Sequence, residues 1–138
     1  MKKTSANACQ PLSILVLDDN EQWRRIVRST LESDLGVAPF VAKDGYEAID
    51  ILNANPIDVV VSDLNMPVMN GIQFLKEARS LSPGTKVIIM SVDVSMSEEL
   101  VARGAFAVVS KVDITPNLID LLRTIKASRC RATPASMD

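Results

Sequence analysis

Three consecutive valines, Val59, Val60 and Val61, lead directly into Ser62-Asp63 and a loop that ends at Gly71. An unbroken β-branched run bounded by turn-forming residues predicts a strand buried on both faces, as in a parallel sheet. Asp63 stands where this strand leaves the sheet. Because ligands of open α/β sheets bind beyond the carboxyl ends of the strands, the Asp63 carboxylate is a candidate functional group. A turn former or a helix cap would also place an aspartate there.

Four further apolar runs, at residues 13–17, 38–42, 86–90 and 107–109, alternate with segments of helical periodicity. This alternation predicts an α/β fold with a doubly wound, five-stranded parallel sheet and five helices. Pro39 favours an early or edge position for the second strand, because proline cannot donate to a ladder. Asp44-Gly45 predicts the start of the second helix, residues 94–103 form the predicted fourth helix, and the fifth ends before a polar tail from about Arg129.

The chain has 138 residues, which indicates a single domain. We predict a loose arm at 1–10, the folded domain at 11–129 and a C-terminal tail at 130–138. Net charge is −2 with both signs mixed along the chain, so direct nucleic-acid binding is not expected. No apolar run approaches the ~20 residues of a membrane span, and no signal peptide is evident.

The chain has two cysteines, Cys9 and Cys130, near opposite ends. This placement favours reduced thiols and a cytoplasmic location over a disulfide framework. The chain has no histidine. That absence excludes histidine-containing zinc hydrolase sites, Ser-His or Cys-His nucleophile pairs, and a phosphohistidine within this chain.

Polar side chains follow four of the predicted strands at one edge of the sheet. Asp18 and Asp19 follow the first strand, Asp63 the third, Ser91 the fourth and Lys111 the fifth. Carboxylates brought together repel unless a cation compensates them, and oxygen donors suit Mg²⁺. A metal, an ammonium, a hydroxyl and a nucleophilic carboxylate can together take up a phosphoryl group as an aspartyl phosphate. Taken singly, Lys111 and Ser91 would be an ordinary surface lysine and a turn residue, so the prediction depends on their conjunction.

Over residues 11–127 the chain resembles the response regulator receiver domains of two-component signalling. The resemblance rests on those five residues and on the run Asp-Leu-Asn-Met-Pro-Val-Met-Asn-Gly at 63–71. It implies a flavodoxin-like fold with strand order 2-1-3-4-5. It also implies a single-domain regulator similar to chemotaxis regulators, whose partners are a histidine kinase or phosphotransfer protein and a downstream protein. That protein would bind at the fourth helix, fifth strand and fifth helix. We expect a monomer or weak homodimer that assists its own phosphorylation and dephosphorylation without being an enzyme in its own right.

By the same resemblance, Asp63 is the phosphoacceptor. Mg²⁺ would be held by Asp19, Asp63 and the backbone carbonyl of Asn65, with Asp18 acting through water. Ser91 and Lys111 would contact the phosphoryl oxygens.

Three positions depart from the family pattern. Valine follows Lys111 where the family usually has a proline, often after a cis bond; a cis bond before valine costs about 2.5–4 kcal/mol, which favours trans, but the sequence does not decide between the two forms. Val108 stands where an aromatic residue often switches orientation, and Val92 stands where a small residue is common. None of these positions belongs to the phosphoacceptor set.

Four hypotheses follow. The preferred one is a single-domain receiver, because no output domain follows Ala127 in this sequence. The second is a receiver cut from a longer regulator, which the genomic reading frame would decide. The third is a Mg²⁺-dependent aspartyl-phosphate phosphatase of the haloacid dehalogenase type, disfavoured because Asp18-Asp19-Asn20 does not match the Asp-x-Asp that such enzymes need. The fourth is an interaction scaffold that has lost phosphorylation, disfavoured because all five key positions are filled.

Overall fold

The structure, a computed structural model, describes residues 11–137, with side chains to Ser128. The predicted arm at 1–10, with Cys9, and the side chain of Cys130 lie outside the described residues. Within this range the sheet has five parallel strands: β1 (Ile14–Leu17), β2 (Phe40–Ala42), β3 (Val59–Asp63), β4 (Lys86–Ser91) and β5 (Ala107–Ser110). Their order is β2-β1-β3-β4-β5, which confirms the predicted fold class and the edge position of the second strand.

Five helices connect the strands: α1 (Glu21–Leu35), α2 (Gly45–Ala54), α3 (Gly71–Leu81), α4 (Ser97–Ala102) and α5 (Ile114–Met137). Local caps start the first three of them. Asn20, Asp44 and Asn70 each accept a hydrogen bond from a backbone N–H of the first turn, and such caps stabilise a helix by about 1 kcal/mol each. Gly36 ends α1 in the left-handed conformation, at φ 65°.

The core lies on both faces of the sheet. Alternate residues of one strand point to opposite faces, so Val60 packs with α2 and α3 while Val61 packs with α1 and α5. Both valines are fully buried. The helices cover both sides, which explains why the central strands are continuously apolar in sequence.

Two helix boundaries differ from the sequence prediction. α4 begins at Ser97, not near residue 94, because side-chain bonds fold residues 93–97 into a turn: Asp93 Oδ1 accepts from Ser95 N and Ser97 Oγ donates to Val94 O. α5 runs to Met137, past its predicted end near Arg129. The segment 126–132 is rich in Ala, Lys and Arg, which are strong helix formers. No helix in the described range is long and apolar enough to cross a membrane.

Candidate functional site

The turn between β1 and α1 presents two aspartates in different environments. Asp18 is fully buried, and Asp19 is exposed. Asp18 Oδ1 accepts from the backbone N–H of Asn20 at 2.9 Å, and the Arg24 guanidinium donates to the Asp18 carbonyl at 2.8 Å. Asn20 in turn caps α1 by accepting from the backbone N–H of Trp23. The cap of α1 is therefore Asn20 and not Asp19, whose side chain is exposed.

The loop after β3 is held against the end of the strand by a glycine. A Cβ added to Gly71 would lie 2.7 Å from the Asp63 carbonyl oxygen and 2.8 Å from Leu64 Cα. The Gly71 N–H donates to the Leu64 carbonyl at 2.7 Å. Met66 and Met69 are buried and anchor the loop, whereas Asn65 between them and Asp63 is exposed. The motif at 63–71 is thus a tight loop that keeps Asp63 and Asn65 at the sheet edge.

Lys111, which follows β5, contacts the aspartates at the ends of β1 and β3. Its Nζ donates to Asp18 Oδ2 at 2.8 Å and forms an ion pair with Asp63 Oδ1 at 3.1 Å. The Lys111 side chain is 8% exposed, and its backbone N–H donates to the Ser91 carbonyl at 2.9 Å. The bond between Lys111 and Val112, which the sequence left undecided, is trans, since the described residues contain no cis peptide bond.

Ser91 ends β4 at the same edge and is 2% exposed. Its hydroxyl donates to the carbonyl of Asp93 at 2.7 Å and accepts from the Asp93 N–H at 3.1 Å. The hydroxyl therefore stabilises the turn before α4 and would have to leave that bond to reach a group on Asp63.

The site carries excess negative charge. Oxygens of Asp18, Asp19 and Asp63 lie within 4.8 Å of one another, opposed by the single ammonium of Lys111. Burial, and then the neighbouring Asp18 carboxylate, raise the pKa of Asp63; Lys111 offsets part of this effect. The three carboxylates and the Lys111 ammonium carry a net charge of −2 when all are ionised, and the Arg24 guanidinium, which donates to the Asp18 backbone carbonyl, lowers the excess to −1. An all-oxygen donor set with that charge fits a hard divalent cation such as Mg²⁺.

The structure therefore brings together Asp18, Asp19, Asp63 and Lys111, and it places Ser91 and Asn65 at the same sheet edge. Sequence reasoning missed two residues of the site. The ring centroid of Trp23 lies 4.9 Å from Lys111 Nζ, and Arg24 donates to the Asp18 carbonyl. The local pattern of α1 carries no signal for either contact, because the first depends on where β5 ends relative to the helix and the second on the turn between β1 and α1.

Known proteins similar to this chain in sequence or fold are numerous. The chain matches the response regulator receiver domain over residues 14–123. It is 31% identical over 127 residues to the response regulator MprA of Mycolicibacterium vanbaalenii, covering 90% of this chain and 53% of that protein. It is 33% identical over 127 residues to the sensor histidine kinase RcsC of Escherichia coli, covering 91% of this chain and 13% of that protein. The chain thus spans about half or less of the length of these relatives.

A solved structure agrees with these sequence matches. The receiver domain of the Francisella response regulator 1452 superposes with a TM-score of 0.78 at 29% identity, covering 86% of this chain and 98% of that one. The fold, the acidic edge and the family match lead to one conclusion: this chain belongs to the response regulator receiver domain family and is a receiver domain of two-component signalling.

Proposed function

We propose that this receiver accepts a phosphoryl group on Asp63 from a histidine kinase or a phosphotransfer protein and signals through altered protein contacts. The observation that carries the proposal is the pairing of one buried ammonium, Lys111, with both Asp18 and Asp63 inside a cluster of three carboxylates. A surface lysine would not be buried between two acids, and buried charges in proteins are normally paired. Repulsion among the three carboxylates favours the binding of a cation, and a bound cation together with Lys111 would offset the negative charge of a phosphoryl group on Asp63.

The transfer is a displacement at phosphorus. A carboxylate oxygen of Asp63 forms the new O–P bond while the bond from phosphorus to the donor breaks, and the leaving group keeps that electron pair. Lys111 lies 3.1 Å from Asp63 and is placed to donate to the equatorial phosphoryl oxygens. Asp19, Asp63 and the carbonyl of Asn65 would hold Mg²⁺ directly, with Asp18 acting through water. Mg²⁺ would neutralise charge that develops on those oxygens.

We expect phosphorylation of Asp63 to change the structure at Ser91 and α4. The Ser91 hydroxyl donates a hydrogen bond to the Asp93 carbonyl in the turn that follows β4. If the hydroxyl donated to a phosphoryl oxygen instead, the bond to the Asp93 carbonyl would break. α4 is the shortest helix among the described residues; it lacks a side-chain N-cap, and Leu100 is its one buried residue. Val108 is half-buried against the core and is stiff at its first torsion, so it does not replace a swinging aromatic ring. We therefore place the downstream protein at the surface of α4, β5 and α5.

The phosphoacceptor is tested by intact mass after incubation with acetyl phosphate and Mg²⁺. The native chain should gain one phosphoryl group, and Asp63→Asn should gain none. Asp50→Asn is the matched control, because Asp50 is an exposed aspartate on α2 away from the cluster, and it should label like the native chain. Undiminished labelling of Asp63→Asn would contradict the assignment, and absence of labelling in the native chain would favour the scaffold hypothesis.

A second form of the same function has specific support. The match to RcsC covers only 13% of that protein, so receivers similar to this one occur as parts of longer chains. Under this alternative the chemistry at Asp63 is unchanged, and the partner at α4, β5 and α5 is another domain of the same polypeptide. The length of the natural reading frame distinguishes the two forms.

A further inference from the structure

The ammonium of Lys111 has a third neighbour that neither the family pattern nor the sequence analysis assigns. Its Nζ lies 4.9 Å from the centroid of the Trp23 ring, within the range in which a cation is attracted to the face of an indole. Indole gives the strongest such attraction among aromatic side chains, and the attraction increases when the cation is removed from water. Lys111 meets that condition, because it is 8% exposed.

The aspartate that binds the lysine also supports, through Asn20, the backbone at Trp23. Asp18 Oδ2 accepts from Lys111 at 2.8 Å, and Asp18 Oδ1 accepts from the N–H of Asn20 at 2.9 Å. Asn20 Oδ1 then accepts from the backbone N–H of Trp23 at 3.0 Å, and the Trp23 ring lies against the Lys111 ammonium. The four residues form a closed circuit of contacts across the ends of β1 and β5. The Lys111 ammonium is therefore contacted by Trp23 of α1 as well as by the carboxylates of Asp18 and Asp63.

This restraint matters because Lys111 lacks the proline that usually follows the lysine in the family, although the Val112 N–H donates to Ser110 Oγ at 3.1 Å. Valine follows the lysine, so no proline ring fixes the backbone torsion, and Val112 is 76% exposed. A lysine side chain is flexible, so its head needs partners to stay in one position. We propose that Trp23 is a positioning residue that holds the Lys111 ammonium between Asp18 and Asp63. Trp23 itself touches neither the phosphoryl donor nor Asp63 in this role.

A purely structural role for Trp23 is the competing explanation. The ring is half-buried and packs against the core cluster on the α1 and α5 side of the sheet. If Trp23 serves only to pack the core, leucine and phenylalanine should replace it about equally well, and removing the charge of Lys111 should not affect it. The positioning role requires an aromatic face and a cation, which makes the two explanations separable.

The first test needs no phosphorylation. The chain has a single tryptophan, so its emission reports Trp23 alone. Lys111→Met removes the ammonium and should change the intensity or wavelength of emission in the folded protein. Lys86→Met is the matched control, since Lys86 Nζ lies 5.6 Å from the Phe106 ring and its removal should leave tryptophan emission unchanged. An emission change no larger than that of Lys86→Met overturns the proposal.

The second test rests on the proposed function and measures the initial rate of labelling by acetyl phosphate. Trp23→Leu should slow labelling by about 2- to 30-fold, the factor that corresponds to the usual strength of such contacts, whereas Trp23→Phe should recover most of the rate. Val27→Ala, a buried core change on the same helix, controls for lost packing and should label at the native rate per folded molecule. Equal rates for the native chain and Trp23→Leu overturn the proposal. If the native chain itself is not labelled, the proposed function fails, and the emission test still decides the contact.

Discussion

Replacing Gly71 by alanine tests how tightly the loop of residues 63–71 is built. The added Cβ would lie 2.7 Å from the Asp63 carbonyl oxygen and 2.8 Å from Leu64 Cα, and ordinary contact begins near 3.4 Å. The loop must therefore move by about 0.7 Å, because backbone atoms cannot rotate away as side chains can. Overpacking of this kind costs about 1–3 kcal/mol, and the better helix propensity of alanine returns about 0.5–1 kcal/mol. We expect a net loss of up to about 2.5 kcal/mol in the free energy of unfolding.

The measurement is urea denaturation, with Gly84→Ala as the matched control. A Cβ at Gly84 meets no atom within 4 Å, so that change should be neutral or stabilising by about 0.4–1 kcal/mol. Gly71→Ala should also slow labelling of Asp63, because the shifted loop carries Asp63 and the Asn65 carbonyl, and reacting groups tolerate little misplacement. Equal stability of the two alanine variants would refute the close approach of Gly71 to the end of β3.

Three further predictions concern the acidic edge. Burial and Asp18 raise the pKa of Asp63, so the folded protein binds the Asp63 proton more tightly than the unfolded chain does. The stability that protonated Asp63 contributes is fully present below the ordinary pKa of 3.8 and is lost as pH rises through the higher pKa of the folded state. Asp63→Asn should therefore be more stable than the native chain near pH 7 in urea denaturation, and an advantage that does not shrink as pH approaches 3.8 would contradict this. Asp19→Asn should raise the melting temperature of the metal-free protein and reduce the rise caused by Mg²⁺; a fall with an unchanged metal response would argue against repulsion by Asp19. Val92 is 66% exposed beside Ser91, and its branched side chain should narrow the approach of small phosphoryl donors to Asp63. Val92→Ala should therefore speed labelling by acetyl phosphate, while Val101→Ala on α4 should not. An unchanged or lower rate for Val92→Ala would exclude crowding of the donor by Val92.

Most of the fold follows from local patterns. β-branched runs mark the strands, and caps at Asn20, Asp44 and Gly36 mark helix ends, because these bonds form within a few residues of sequence. The errors fall where local signals are weak. The fourth helix starts later than predicted because serine and aspartate side chains bond to the backbone before it, and the fifth continues because its polar residues are good helix formers.

The sequence by itself determined the five-stranded α/β fold and the placement of Asp18, Asp19, Asp63, Ser91 and Lys111 at one sheet edge, since parallel strands present their carboxyl ends together. The tertiary structure alone decided how these groups pair. Lys111 is 93 residues from Asp18, and their 2.8 Å contact depends on the lengths of the strands and the twist of the sheet. The same holds for the Trp23 ring above the ammonium and for the close approach of Gly71 to the end of β3. Sequence patterns have short range, whereas these contacts are set by the packing of elements distant in the chain.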